Sequence, residues 1–153
     1  MTSKITRKCL IFTLCAMALL PLLCNDIHAS ESGRTYYVSF DQDYSNGYDN
    51  NQMWYAGPGT IRVRSKHWMP INGYREATMY MQLRRDNWPA SIQYETKSLG
   101  TMNSYDNNSW SNGKPFDVSW QVGDFNKRYY LHVTTGSKYV NKTGMGTISY
   151  TPR

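Results

Sequence analysis

The sequence predicts an all-β protein, an antiparallel β-sandwich of about seven strands or a partly open barrel, after an N-terminal signal helix that is cleaved. Apolar and polar residues alternate in seven short segments, as they do in strands with one buried and one wetted face. Glycine, asparagine and proline separate these segments, which is typical of turns between strands. No stretch has a helical period outside the first 29 residues.

The N-terminus has the features of an export signal. Basic residues within the first eight positions precede an apolar run that ends at Cys24, and Ala29 supplies the small residue expected before a cleavage site. The run is shorter than the roughly 20 residues of a membrane-spanning helix, which disfavours an uncleaved anchor. Leu23 disfavours a lipoprotein, because the residue before a lipidated cysteine is normally small. We expect a signal peptide over residues 1–29 and a secreted domain over residues 30–153.

The residues after Ala29 limit the chemistry of the secreted domain. All three cysteines lie in the leader, namely Cys9, Cys15 and Cys24. Disulfides, a cysteine nucleophile and cysteine-ligated zinc are therefore excluded for residues 30–153. The leader also carries three of the 17 basic and one of the 11 acidic residues, which leaves a net charge of +4. This charge favours anionic surfaces, but no basic block points to nucleic acid as a partner.

The alternation also predicts which side chains face inward. A length of 124 residues indicates one domain, and its many aromatic residues argue against disorder. The predicted core positions are Tyr36, Val38, Ile61, Val63, Met79, Met81, Ile92, Val118, Leu131, Val133 and Ile148.

Two long polar segments, residues 41–59 and 100–115, are predicted to be loops. Both contain the sequence Tyr-Asp-Asn-Asn, at residues 48–51 and 105–108, and a tryptophan follows each copy within three residues. The repeat is explained by an internal duplication, by one loop design used twice, or by chance. Loops of this length in a compact domain are usually functional or mobile.

These loops supply the candidate ligand-binding residues. A tryptophan or tyrosine ring can stack on the apolar face of a sugar, while asparagine and aspartate hydrogen-bond its hydroxyls. The alternative is that the tryptophans plug the ends of the sandwich and the asparagines form turns. The candidates are Tyr48, Asp49, Trp54, Tyr55, Tyr105, Asp106, Asn107 and Trp110.

Metal and catalytic signals are weak. Asp41, Asp43 and Asp49 form a weak calcium candidate, but Gly47 comes one place too late for an EF-hand loop, and a solvated turn is the alternative. His67 and His132 are the histidines after the leader, and no nucleophile or second ligand is paired with either in the sequence. No serine-hydrolase elbow, zinc-protease motif or carboxylate pair is recognisable. We expect no cofactor and no enzymatic activity.

The chain resembles small, uncharacterised secreted β proteins of Gram-positive bacteria. The resemblance lies in the leader, the tyrosine-rich opening strand at residues 34–40, the Asn/Tyr loops and the glycine-punctuated strand at residues 144–150. It implies no catalytic residues, and some similar chains are bacteriocin-like.

The predicted function is therefore a secreted, non-catalytic protein that binds cell-wall polymer, carbohydrate or a cell surface. An antibacterial protein and an extracellular matrix component are the alternatives. The sequence shows neither an amphipathic helix nor an apolar face, so we expect no stable membrane insertion.

Overall fold

A computed structural model describes residues 33–40, 43–70, 73–136 and 140–153. The predicted signal peptide and its three cysteines lie outside these residues. The described part contains nine strands and no helix, and hence no helix that could cross a membrane. The strands are β1 (Arg34–Phe40), β2 (Tyr44–Asn46), β3 (Met53–Ala56), β4 (Gly59–Trp68), β5 (Glu76–Arg85), β6 (Ile92–Asn103), β7 (Lys114–Val122), β8 (Lys127–Thr135) and β9 (Lys142–Pro152).

The strands form two antiparallel sheets. The first sheet has the order β1-β9-β4-β7, and the second has the order β2-β8-β5-β6, with β3 also paired to β8. Since β2 and β3 lie in succession along β8, they form one interrupted edge strand. The sheets also meet at both edges, where β1 contacts β2 and β6 contacts β7. Eight strands in two such sheets make a jelly-roll sandwich, which confirms the predicted all-β fold.

The strand count and loop bounds differ from the prediction. The segment 41–59 contains β2 and β3, which were not predicted because they are only three and four residues long. The second predicted loop is shortened, since β6 continues to Asn103 and β7 begins at Lys114.

Nine of the eleven predicted core residues are buried between the sheets. Val118 is only partly buried, because β7 is an edge strand of the first sheet. The inward prediction for Ile92 is wrong, since this residue is 38% exposed. Ile92 is the first residue of β6, next to the β5–β6 loop, where the core ends.

Trp120 joins the two sheets at one edge. This β7 residue is buried, and its indole Nε1 donates a hydrogen bond of 2.7 Å to the carbonyl oxygen of Glu95 on β6. The bond lets a large apolar ring enter the core without leaving its polar atom unsatisfied.

A buried histidine packs near the end of β4, a central strand of the first sheet. His67 and Tyr36 are both buried, their rings stack at 5.8 Å, and Nε2 of His67 shares a 2.9 Å hydrogen bond with the Tyr36 hydroxyl. Space for the imidazole comes from Gly144, where an added Cβ would fall 2.0 Å from His67 Cδ2. Burial lowers the pKa of His67 from 6.5 to about 3. This histidine is therefore neutral in the folded protein at physiological pH.

We expect His67 to make the protein acid-sensitive. The unfolded chain binds a proton at His67 below about pH 6.5 and the folded chain does so only near pH 3, so acid favours unfolding within that window. The contribution is about 1.4 kcal/mol of unfolding free energy per pH unit and ends below about pH 3. Urea denaturation between pH 7 and pH 4 measures it.

The matched variant is His67→Gln, which can still hydrogen-bond Tyr36 but cannot titrate. Its unfolding free energy should fall less steeply with acid than that of the unchanged protein. Equal slopes in the two proteins would contradict the assignment.

Candidate functional site

The outer surface of the second sheet brings aromatic and hydrogen-bonding side chains together. Side chains alternate along each strand, so the strand register fixes which of them share this surface. Successive rows across the sheet are Tyr44, Thr134, Tyr80 and Ser98; then Asn46, His132, Gln82 and Thr96; then Met53, Tyr130, Arg84 and Gln93. We call this surface, with the turns at its margins, the tyrosine face.

Exposed tyrosines are concentrated on the tyrosine face. Seven tyrosines are exposed in the described part of the chain, and only Tyr37 of these lies on the first sheet. The other six are Tyr44, Tyr48, Tyr55, Tyr74, Tyr80 and Tyr105. Exposed apolar surface gathered on one side of a domain is typical of interaction sites in other proteins.

A turn at the sheet edge brings Tyr48 onto this surface. The amide of Gly47 donates to the carbonyl of Leu131 on β8, and the amide of Gln52 donates to the carbonyl of Gly47. The chain therefore leaves the edge for residues 48–51 and then returns to it. The Tyr48 ring lies 5.6 Å from the ring of Tyr130, and Asn46 donates a 3.1 Å hydrogen bond to Asp49.

The second Tyr-Asp-Asn-Asn segment forms the same turn. In each copy an asparagine two residues before the tyrosine accepts from the tyrosine amide, at 3.2 Å for Asn46 and 3.0 Å for Asn103. Asn103 also donates to Asp106 at 2.7 Å, as Asn46 does to Asp49. One copy interrupts an edge strand and the other follows the end of β6. The shared hydrogen bonds account for the repeat without a duplicated half-domain.

Carboxylates lie at the end of the tyrosine face where β5 begins. The rings of Tyr74 and Tyr105 are 5.4 Å apart, and the Tyr74 hydroxyl donates a 2.8 Å hydrogen bond to Glu76. This bond, with the nearby charges of Glu76 and Asp106, raises the pKa of Tyr74. Carboxylates and phenols together offer hydrogen-bond acceptors and donors to a hydroxylated ligand.

Basic groups lie toward the opposite end. Arg84 donates a 2.8 Å hydrogen bond to Gln82. Arg128, which is in register with Tyr55, donates a 2.8 Å hydrogen bond to the carboxylate of Asp86. The hydrogen bond to Asp86 raises the pKa of Arg128.

His132 lies in the middle of the tyrosine face, where its ring is 5.5 Å from that of Tyr44. Burial, followed by the charge of Arg84, lowers the pKa of His132. It is therefore neutral at physiological pH, so this central row offers amide, hydroxyl and imidazole groups without a charge.

The eight candidate residues do not form one site. Tyr48, Asp49 and Tyr55 lie on the tyrosine face, and Tyr105 and Asp106 lie at its carboxylate end. Asn107 is structural, since its carbonyl accepts from the Met69 amide and its side chain donates to the carbonyl of Asn112.

The two tryptophans predicted as binding residues differ from each other. Trp54 is 3% exposed and lies in the core, so its ring is not available to a ligand, contrary to the prediction. Trp110 is 44% exposed and lies against Trp68 at 5.7 Å and below the ammonium of Lys66 at 5.3 Å. It borders an open groove of about 550 Å³ beside the first sheet, which is separate from the tyrosine face.

The calcium hypothesis stays a prediction, because Asp41 lies outside the described residues. Asp43 and Asp49 line one polar cavity of about 310 Å³. Within residues 33–40, 43–70, 73–136 and 140–153, no three histidine, cysteine, aspartate or glutamate residues are grouped to hold a metal ion.

Comparison with known proteins gives similarity of fold alone. No protein-family model and no curated protein matches the chain. The mitogen of Yersinia pseudotuberculosis is similar over 79% of this chain and 87% of its own, with a TM-score of 0.42 and 7% identity. VP2 of infectious bursal disease virus is similar over 81% of this chain and 34% of its own, with a TM-score of 0.45 and 11% identity. PorU of Porphyromonas gingivalis has a TM-score of 0.30 and 11% identity over 80% of this chain and 10% of its own.

The different positions of the two tryptophans give a stability prediction. Trp54→Ala should lower the free energy of unfolding by about 3–5 kcal/mol, because it removes a core ring and leaves a cavity. Trp110→Ala should cost much less, since the ring is partly solvated. Chemical denaturation of both variants measures the difference, and equal losses would contradict the placement of Trp54 in the core.

Proposed function

We propose that this protein is an exported, non-catalytic binding module whose ligand is a polysaccharide or a cell-wall polymer lying along the tyrosine face. The observation that carries the proposal concerns the tyrosines that are exposed in the described part of the chain: six of these seven lie on one sheet surface and the turns at its margins, interleaved with amide, hydroxyl and charged groups.

The chemistry of the face suits a sugar polymer. A tyrosine ring offers a flat apolar surface to a sugar, and its hydroxyl can hydrogen-bond the same ligand. Gln82 and Thr96, which hydrogen-bond each other at 3.1 Å, lie between the rings and offer further donors and acceptors. Few of these groups are aliphatic, which favours a hydroxylated ligand over an apolar one.

The length of the face favours a polymer over a single small molecule. From Glu76 to Arg84 the face extends along eight residue steps of β5, about 27 Å at the usual rise of a strand. A stacked ring contributes on the order of 1 kcal/mol, so several rings must act together for useful affinity. A chain of repeating units can contact all of them at once.

Export is proposed from the sequence of residues 1–29, whose basic start, short apolar run and Ala29 resemble a cleaved signal. A domain without cysteine after this leader can fold outside the cell without disulfide formation. Polymers of the cell surface are then the ligands within reach.

Removing two tyrosines from the middle of the face tests the proposal. Tyr44→Ala combined with Tyr80→Ala should weaken binding to insoluble cell-wall or polysaccharide preparations by about 30-fold, because each ring contributes about 1 kcal/mol. Pull-down titrations with purified residues 30–153 measure the affinity, and circular dichroism verifies the fold.

Tyr37→Ala is the matched control, since Tyr37 is also an exposed strand tyrosine but lies on the first sheet. It should leave binding unchanged. Equal weakening by the control and the double variant, or no binding to any such preparation by the unchanged protein, would reject the tyrosine face as a polymer site. Turnover of the polymer would reject the non-catalytic assignment.

A further inference from the structure

Two aromatic side chains at one end of the sandwich are almost fully exposed to solvent. Trp88 is 87% exposed and Phe125 is 75% exposed, more than any other large apolar residue in the described part. Trp88 lies in the β5–β6 loop, residues 86–91, and Phe125 lies in the β7–β8 loop, residues 123–126. Neither ring belongs to the core, to the tyrosine face or to the groove beside the first sheet.

Ion pairs hold the two loops side by side. Arg85, the last residue of β5, pairs with Asp124 of the β7–β8 loop. Asp86 pairs with Arg128 of β8, and its amide also donates a 2.8 Å hydrogen bond to the carbonyl of Arg128. Ile92, the first residue of β6, directly follows the β5–β6 loop and is also exposed, so it adds apolar surface. We call this group of side chains the aromatic end.

One basic side chain at the aromatic end, Lys127, is left over after the ion pairs are counted. The two ion pairs place Arg85 and Arg128 against Asp124 and Asp86, so these four charges offset one another. Lys127 is exposed two residues after Phe125, and it is in none of the ion pairs found among the described residues. A free cation beside exposed rings is complementary to an anionic surface.

We propose that the aromatic end docks on an anionic lipid bilayer, with Trp88 and Phe125 entering the headgroup region and Lys127 facing the anionic lipids. Aromatic rings are favoured at the boundary between headgroups and acyl chains, and nearby cations add attraction to anionic lipid. The strands themselves stay outside the bilayer, so the docking is peripheral.

The shape of the end favours a lipid surface over a protein partner. Trp88 and Phe125 lie on two separate loops, and neither ring lines the groove beside the first sheet or the cavity at Asp43 and Asp49, so these two cavities give the rings no shape complementarity to a folded partner. A fluid bilayer needs no such complementarity, because lipids rearrange around each ring. The proposal is independent of polymer binding, since it uses none of the exposed tyrosines.

Vesicle binding tests the proposal directly. Residues 30–153, which contain the whole sandwich and lack the apolar leader, are sedimented with vesicles of phosphatidylglycerol and phosphatidylcholine. The unchanged protein should bind them, and Trp88→Ala and Phe125→Ala should each reduce the partition coefficient about tenfold. Lys127→Gln should reduce it about fivefold. Vesicles of phosphatidylcholine alone should bind more weakly.

Trp110→Ala is the matched control, because Trp110 is a half-exposed tryptophan in the β6–β7 loop at the opposite end of the sandwich. It should bind vesicles as the unchanged protein does. The proposal would be overturned if the unchanged protein did not bind the vesicles, or if the Trp88→Ala and Phe125→Ala variants bound them as strongly as the unchanged protein does. Sedimentation velocity without lipid supplies a further test: a dimer that Phe125→Ala dissociates would show that a second copy occupies this end, and would also overturn it.

Discussion

The alternation of side chains across two sheets governs the rest of this structure. Every strand except the three-residue β2 gives apolar side chains to a single core layer between the sheets, and the described residues contain no disulfide or metal group that could replace it. Burial of each large apolar side chain contributes about 1.5–3 kcal/mol, so the inward positions are reserved for packing. Recognition is left to the outward positions and to the loops.

This constraint explains why the fold could be predicted while its edges could not. Positions such as Ile61, Val63, Met79 and Met81 alternate with polar residues, and all four are buried as predicted. Ile92 has the same local pattern, but it lies where β6 leaves the loop and no core remains to cover it. Alternation identifies the face of a strand that points inward, and does not show how far the opposite sheet extends.

The candidate site depends on information that is not local. Tyr44, Tyr80 and Gln82 share a surface because β8 pairs with both β2 and β5, and no segment of the sequence indicates those pairings. From the sequence, the ligand-binding residues were placed in the two long polar segments instead. Trp54 was among these residues, although it lies on β3 with its ring in the core. The repeated Tyr-Asp-Asn-Asn segments indicated correctly that two turns are alike. Each turn has its own asparagine, Asn46 or Asn103, whose side chain accepts a hydrogen bond from a backbone amide two residues later, so the signal lies within a short segment of sequence.

The two proposed surfaces are joined through Tyr55 and Arg128. These residues are in register at the basic end of the tyrosine face, and Arg128 pairs with Asp86, the first residue of the loop that carries Trp88. A domain held on lipid by Trp88 and Phe125 has the strands of its second sheet directed away from the bilayer. Glu76 is then far from the anionic lipids, because β5 runs from Glu76 toward the aromatic end. In this proposed arrangement the tyrosine face would stay in solvent beside the bilayer, and a polymer that follows the strands would extend outward from the membrane surface.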